Sequence, residues 1–150
     1  MISRYEVFSA SVSSMYHDIQ KIARVEMAKF GLKGPHAQCL LAMLRYPEGV
    51  TAARLCEICD KDKAAISRTL AELEEAGMIS RTEQNGSRYR ALLTLTEQGA
   101  AAAEAVSRRA LVAVEQAGQG LNDTQRQIFY QVLSLIAGNL HTICKDGLTK

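Results

Sequence analysis

The segment LEEAGMISRTEQNGSRYRALLTLT, residues 73–96, constrains the fold most, because the spacing of apolar residues changes at Gly77. Ahead of it, Ile66, Leu70 and Leu73 recur four and three residues apart, a stripe that a globular helix buries. Beyond it, residues 78–82 and 89–95 are rich in residues that suit strands, and Asn85-Gly86 lies between them. Asn-Gly between two such runs is the strongest short-range hairpin signal, because its turn needs positive φ at both central positions. Gly77 itself stands where a helix C-cap belongs. The expectation is a helix that ends at Gly77 and feeds directly into a two-stranded hairpin.

The flanks read as helices. Tyr5, Phe8, Val12, Met15, Ile19 and Ile22 follow at steps of three and four, a narrow coiled-coil type of seam over about residues 4–30. Gly31 and Gly34-Pro35 stop and restart the chain, with Pro35 suited to the first turn of a second helix. That helix, about residues 35–45, has Cys39, Leu40, Leu41, Met43 and Leu44 and should be central. Thr51 is an N-cap candidate for a short third helix through Ile58. Past the hairpin, Thr96 caps an alanine-rich helix to about Gln116, which Gly118 and Gly120 break. Asn122 and Gln125 have capping-box spacing at the start of a last helix to about Cys144. Its apolar set is Ile128, Phe129, Val132, Leu133, Ile136, Leu140 and Ile143. The fold class is therefore mainly α with a small β-hairpin wing: a winged helix-turn-helix with flanking helices.

Residues 50–99 resemble the MarR family of bacterial transcription regulators. The resemblance rests on Asp62-Lys63-Ala64-Ala65-Ile66-Ser67-Arg68 at the recognition-helix entry and Leu73-Glu74-Glu75-Ala76-Gly77-Met78-Ile79-Ser80-Arg81 at its exit. Leu95-Thr96-Glu97-Gln98-Gly99 after the wing completes it, and one helix before and two after match in number and order. The family's wing has an Asp-x-Arg where this chain has Ser87 and Tyr89, with Arg88 and Arg90 on either side of Tyr89. The resemblance implies one unit over residues 1–150. In it, residues 33–96 form the DNA-binding part, and residues 1–32 and 97–145 form the dimerisation helices. It also implies a homodimer, a pseudo-palindromic double-stranded DNA operator, and control by a small effector.

The charges support a DNA partner. Residues 62–79 carry Lys63, Ala64, Ser67 and Arg68 in their first half and Glu72, Glu74 and Glu75 in their second. Ordinary helix preferences put acids first and bases last, and apart from Asp62 this helix does the reverse. A recognition helix enters the major groove by its N-terminal part. There Ala64 lets the backbone approach, Ser67 meets base edges, and Arg68 reaches a guanine or a phosphate. Lys61 and Lys63 are phosphate contacts, and Arg88 and Arg90 make the wing basic. Net charge is only +2 over 150 residues, so such a basic surface must be local.

Other function classes find less support. No apolar run approaches the roughly 20 residues of a membrane span, and the four cysteines do not look like a disulfide framework, so the reading is soluble and cytoplasmic. His36-x-x-Cys39, Cys56-x-x-Cys59 and His141-x-x-Cys144 share i, i+3 spacing, but they lie on three different helices. Buried thiols are the default reading, with a metal- or redox-responsive regulator as the alternative. No nucleophile elbow, phosphate loop or HExxH pattern is present, so neither a catalytic site nor a cofactor is expected. A winged helix used as a protein-interaction module is the rival from another class, and Lys63, Arg68, Arg88 and Arg90 weigh against it.

Overall fold

The computed structural model describes residues 3–84 and 86–149, and gives backbone alone for residues 84 and 87–89. The elements are α1 (Arg4–Ala28), α2 (Gly34–Leu44), α3 (Ala52–Cys59), α4 (Lys63–Glu75), β1 (Ile79–Gln84), β2 (Ser87–Leu95), α5 (Glu97–Ala117) and α6 (Asp123–Asp146). Cα packing divides the chain into two compact units, Met1–Leu111 and Val112–Lys150.

In the first unit the caps form as their residue types dictate. The Thr51 hydroxyl accepts from Arg54 N at 3.2 Å, and the Asp62 carboxylate accepts from Ala65 N at 2.7 Å. Each satisfies a first-turn donor that the helix itself leaves unpaired. Gly77 closes α4 with φ +73°, a conformation that is nearly free only for glycine. The core lies where the chain is most apolar: Leu40 and Met43 of α2 meet Leu55 of α3, Leu70 and Leu73 of α4, and Leu93 of β2. Each side chain buried this completely stabilises by about 1.5–3 kcal/mol. Ile66, Leu70 and Leu73 are all buried as their spacing requires, and Thr69 joins them by donating its hydroxyl proton to Ala65 O at 3.0 Å.

The hairpin pairs Ile79 with Leu95 and Thr82 with Leu92, then shifts register before Gln84 meets Ser87. The strands reach further toward the tip than their composition indicates, because this ladder continues to the turn itself. Gly86 takes φ +72° there, and Asn85 lies outside the described residues. Val50 adds a bridge on the other edge, donating to Leu93 O at 3.0 Å and accepting from Leu93 N at 2.9 Å.

The start of α5 is stitched to the turn after α4. Thr96 N donates to Met78 O at 3.0 Å, the Thr96 hydroxyl donates to Gly77 O at 2.6 Å, and Gly99 N donates back to that hydroxyl at 3.0 Å. Gly99 is fixed by closeness rather than by φ: a Cβ on it would stand 1.7 Å from Met78 O. Within the same unit α1 and α5 are joined by Glu26, which accepts from Arg109 at 2.8 and 3.2 Å and from Lys29 at 2.8 Å. Arg109 and then Lys29 hold its carboxyl down at about 2.

In the second unit, Asn122 and Gln125 complete the capping box, side chain to backbone at 2.8 and 3.0 Å. No described residue of α6 is buried; Ile128, Leu133 and Leu140 keep about half their surface exposed. The seam of α1 is equally bare, from Tyr5 through Ile22.

Candidate nucleic-acid interface

Two helices and a three-residue turn build the candidate surface. Asp60 ends α3 in the left-handed region at φ 50°, which short polar side chains tolerate better than most, and Lys61 N donates back to Cys56 O at 3.1 Å. The chain thus reverses sharply, and Asp62 starts α4 at once. Because Ile66, Leu70 and Leu73 face the core, helical spacing turns Lys63, Ala64, Ser67 and Arg68 outward, and all four are exposed, as is Lys61 in the turn. Neither Lys61 nor Arg68 forms an ion pair with another described residue. At the wing, Arg90 is exposed, and the side chain of Arg88 lies outside the described residues.

The acidic half of α4 is treated differently. Glu72 accepts from Lys33 Nζ at 3.1 Å through both oxygens, and its Oε2 lies 2.6 Å from His36 Nε2. His36, then Lys33, holds the Glu72 carboxyl below the usual carboxylate range. Glu74 faces Arg81 Nε of β1 at 3.5 Å. Two of the three glutamates that sequence places late in the helix are therefore turned onto partners in the protein. The charge segregation seen in the sequence is thus matched in the structure: the first turns carry exposed small and basic residues, and the later turns are tied to the protein through Glu72 and Glu74.

The cysteines do not make a site of the sort their spacing allows. Cys39 and Cys59 are almost fully buried, Cys56 is half-buried and Cys144 is exposed. Burial, with neighbouring Cys59 adding to it, pushes the Cys39 thiol up to about 12, and burial also raises Cys59. Such thiols are poor nucleophiles. His36 turns to Glu72 instead of to Cys39, and among the described residues no three His, Cys, Asp or Glu side chains gather where a metal ion would need them. Sequence spacing did not find the His36–Glu72 pair, since its members stand 36 positions apart. No described helix is long and apolar enough to cross a membrane.

Three core helices, the last exposing a basic N-terminal face, followed by a paired wing, define a winged helix-turn-helix protein of the transcription-regulator type. The MarR family model matches residues 30–88. This segment belongs to the MarR family, and the chain carries the fold of its transcriptional regulators. It is similar to a MarR transcriptional regulator from Methanosarcina mazei Go1, with TM-score 0.84 and 19% identity, covering 95% of this chain and 94% of that one. It is also similar to a MarR-family regulator from Listeria monocytogenes complexed with 26mer DNA, with TM-score 0.80 and 18% identity, covering 94% and 95%. An HTH-type transcriptional regulator of Bacillus subtilis (strain 168), YdgJ, is 23% identical over 140 residues, 91% of this chain and 85% of the relative.

Proposed function

We propose that this chain is a sequence-specific, homodimeric DNA-binding repressor whose operator affinity is lowered by a small effector. The observation that carries the reading is the exposed set Lys61, Lys63, Ala64, Ser67 and Arg68 at the entry of α4, with Glu72 and Glu74 drawn back onto protein partners. In the major groove, Lys61 and Lys63 neutralise phosphates, Ala64 gives the backbone room, and Ser67 and Arg68 read base edges. Arg90, with Arg88, supplies the wing's charge beside the groove. The bare apolar rows of α1 and α6 support the dimer: exposed rows of this length mark surfaces that a partner covers. Residues 33–96 then form the reader and the helices on either side form the dimerisation part. A dimer presents two recognition helices about one DNA turn apart to a pseudo-palindrome, and an effector acts by shifting the population of that spacing. A second reading through thiol sensing is disfavoured for Cys39 and Cys59 by their burial.

The test is fluorescence anisotropy with DNA from upstream of the protein's own gene against a scrambled duplex, across a salt series. About six phosphate contacts predict an affinity loss of roughly a thousandfold between about 50 and 200 mM salt. A steep slope with preference for the upstream DNA supports the regulator. Absence of binding by a folded dimer at low salt would bring forward the protein-interaction reading.

A further inference from the structure

We infer that His36 and Glu72 are a positioning pair that fixes the rotation of α4 on α2, and with it the presentation of residues 63–68 to DNA; this rests on the reading of α4 as the helix that enters the groove. His36 is nearly buried, with 8% of its side chain exposed, and both ring nitrogens are engaged. Nδ1 lies 3.1 Å from Lys33 N, whose N–H it accepts, so Nδ1 carries no proton. The proton is therefore on Nε2, which donates to Glu72 Oε2 at 2.6 Å. The imidazole is a neutral bracket with a fixed tautomer: one nitrogen caps the first turn of α2, and the other grips α4.

The grip matters because of where it falls. Glu72 stands four residues after Arg68, on the same face of α4 and one turn further from the helix start. The apolar stripe of Ile66, Leu70 and Leu73 sets which face of α4 meets the core, but hydrophobic burial is non-directional and does not by itself hold the fine angle about the helix axis. A short hydrogen bond to a carboxylate from a buried donor is directional and stronger than a neutral one. Lys33 adds charge to the same carboxylate, but its side chain is 69% exposed, so solvent screens it. The pair also accounts for a histidine in the first turn of α2 without invoking a metal, since Nε2 is already occupied.

Substitutions separate the two halves of the bracket. His36→Asn keeps an acceptor for Lys33 N and cannot reach Glu72; His36→Gln keeps an amide donor toward Glu72. Glu72→Ala removes the acceptor, and Glu72→Gln restores it without charge. The prediction is that His36→Asn and Glu72→Ala each weaken operator binding about tenfold, the order of one hydrogen bond to a charged group, while both glutamine variants recover most of it. The salt slope should stay at the wild-type value in all four, because no phosphate contact is lost. Circular dichroism confirms that each variant is folded at the assay temperature, and imidazole nitrogen shifts in the wild type should report the Nε2–H tautomer. Wild-type affinity in Glu72→Ala, tighter binding in that variant, or an Nδ1–H tautomer would overturn the inference. Should His36→Asn fail to fold, the Glu72 pair decides alone. If the wild type itself binds no DNA, the groove reading has failed and the link to DNA goes with it. Faster amide exchange over residues 63–68 in Glu72→Ala would then still establish the bracket, and unchanged exchange would dispose of it.

Discussion

Replacing Gly99 by alanine probes the junction that joins α4, the wing and α5. Ordinarily this change in a helix gains about 1 kcal/mol, because glycine loses more backbone entropy on folding. Here the new Cβ would stand 1.7 Å from Met78 O and 2.7 Å from Met78 C, both backbone atoms that no rotamer change can move. Ordinary carbon–oxygen contact lies near 3.3 Å, so the start of α5 must retreat by about 1.5 Å. That retreat breaks the two bonds that stitch α5 to the turn, from Thr96 N to Met78 O and from the Thr96 hydroxyl to Gly77 O. Two hydrogen bonds at about 1 kcal/mol each and overpacking of about 1–3 kcal/mol outweigh the helix gain, leaving a net loss of about 3 kcal/mol. Urea unfolding followed by circular dichroism, at one fixed protomer concentration, measures it. A change within about 1 kcal/mol of zero, or a stabilisation, would refute the close approach and return Gly99 to ordinary helix propensity.

Three further outcomes are expected. Leu133→Arg lies on the bare face of α6, 44% exposed, so it should leave each chain folded while halving the mass in solution and abolishing operator binding; unchanged affinity from a monomer would sink the dimer reading. Glu26 is held down at about 2 by Arg109 and Lys29, so its contribution to stability is complete above the usual value of 4.5 and is lost as pH falls toward 2. Arg109→Gln should flatten the pH dependence of the unfolding midpoint in that window, and an unaltered profile would show that the ion pair adds nothing. Alkylation at neutral pH should modify Cys144 first and leave Cys39 and Cys59 protected until the protein unfolds, since both are buried and Cys39 is pushed up to about 12. Rapid modification of Cys39 in the folded protein would revive a thiol-sensing role.

Local chemistry made much of this molecule legible from its sequence. Stripes at three and four residues located α4 and its core face, Asn85-Gly86 located the hairpin, and Thr51 and Asn122 marked helix starts; all of these depend on neighbours within a few positions. The exposure of Lys63, Ala64, Ser67 and Arg68 follows from the same periodicity, because fixing one face of a helix fixes the other. What only the tertiary structure decided are pairings between residues distant in sequence. The bridge from Val50 to Leu93, the Glu26–Arg109 link and the His36–Glu72 bracket join positions whose separation no local period encodes. Gly99 shows both levels at once: its residue type is plain in the sequence, but the reason for it is a carbonyl 21 positions earlier, at Met78, against which the folded backbone is pressed. Local propensity sets which elements form, while the partner of a buried polar group is set by packing, where leaving that group unpaired costs about 1–3 kcal/mol.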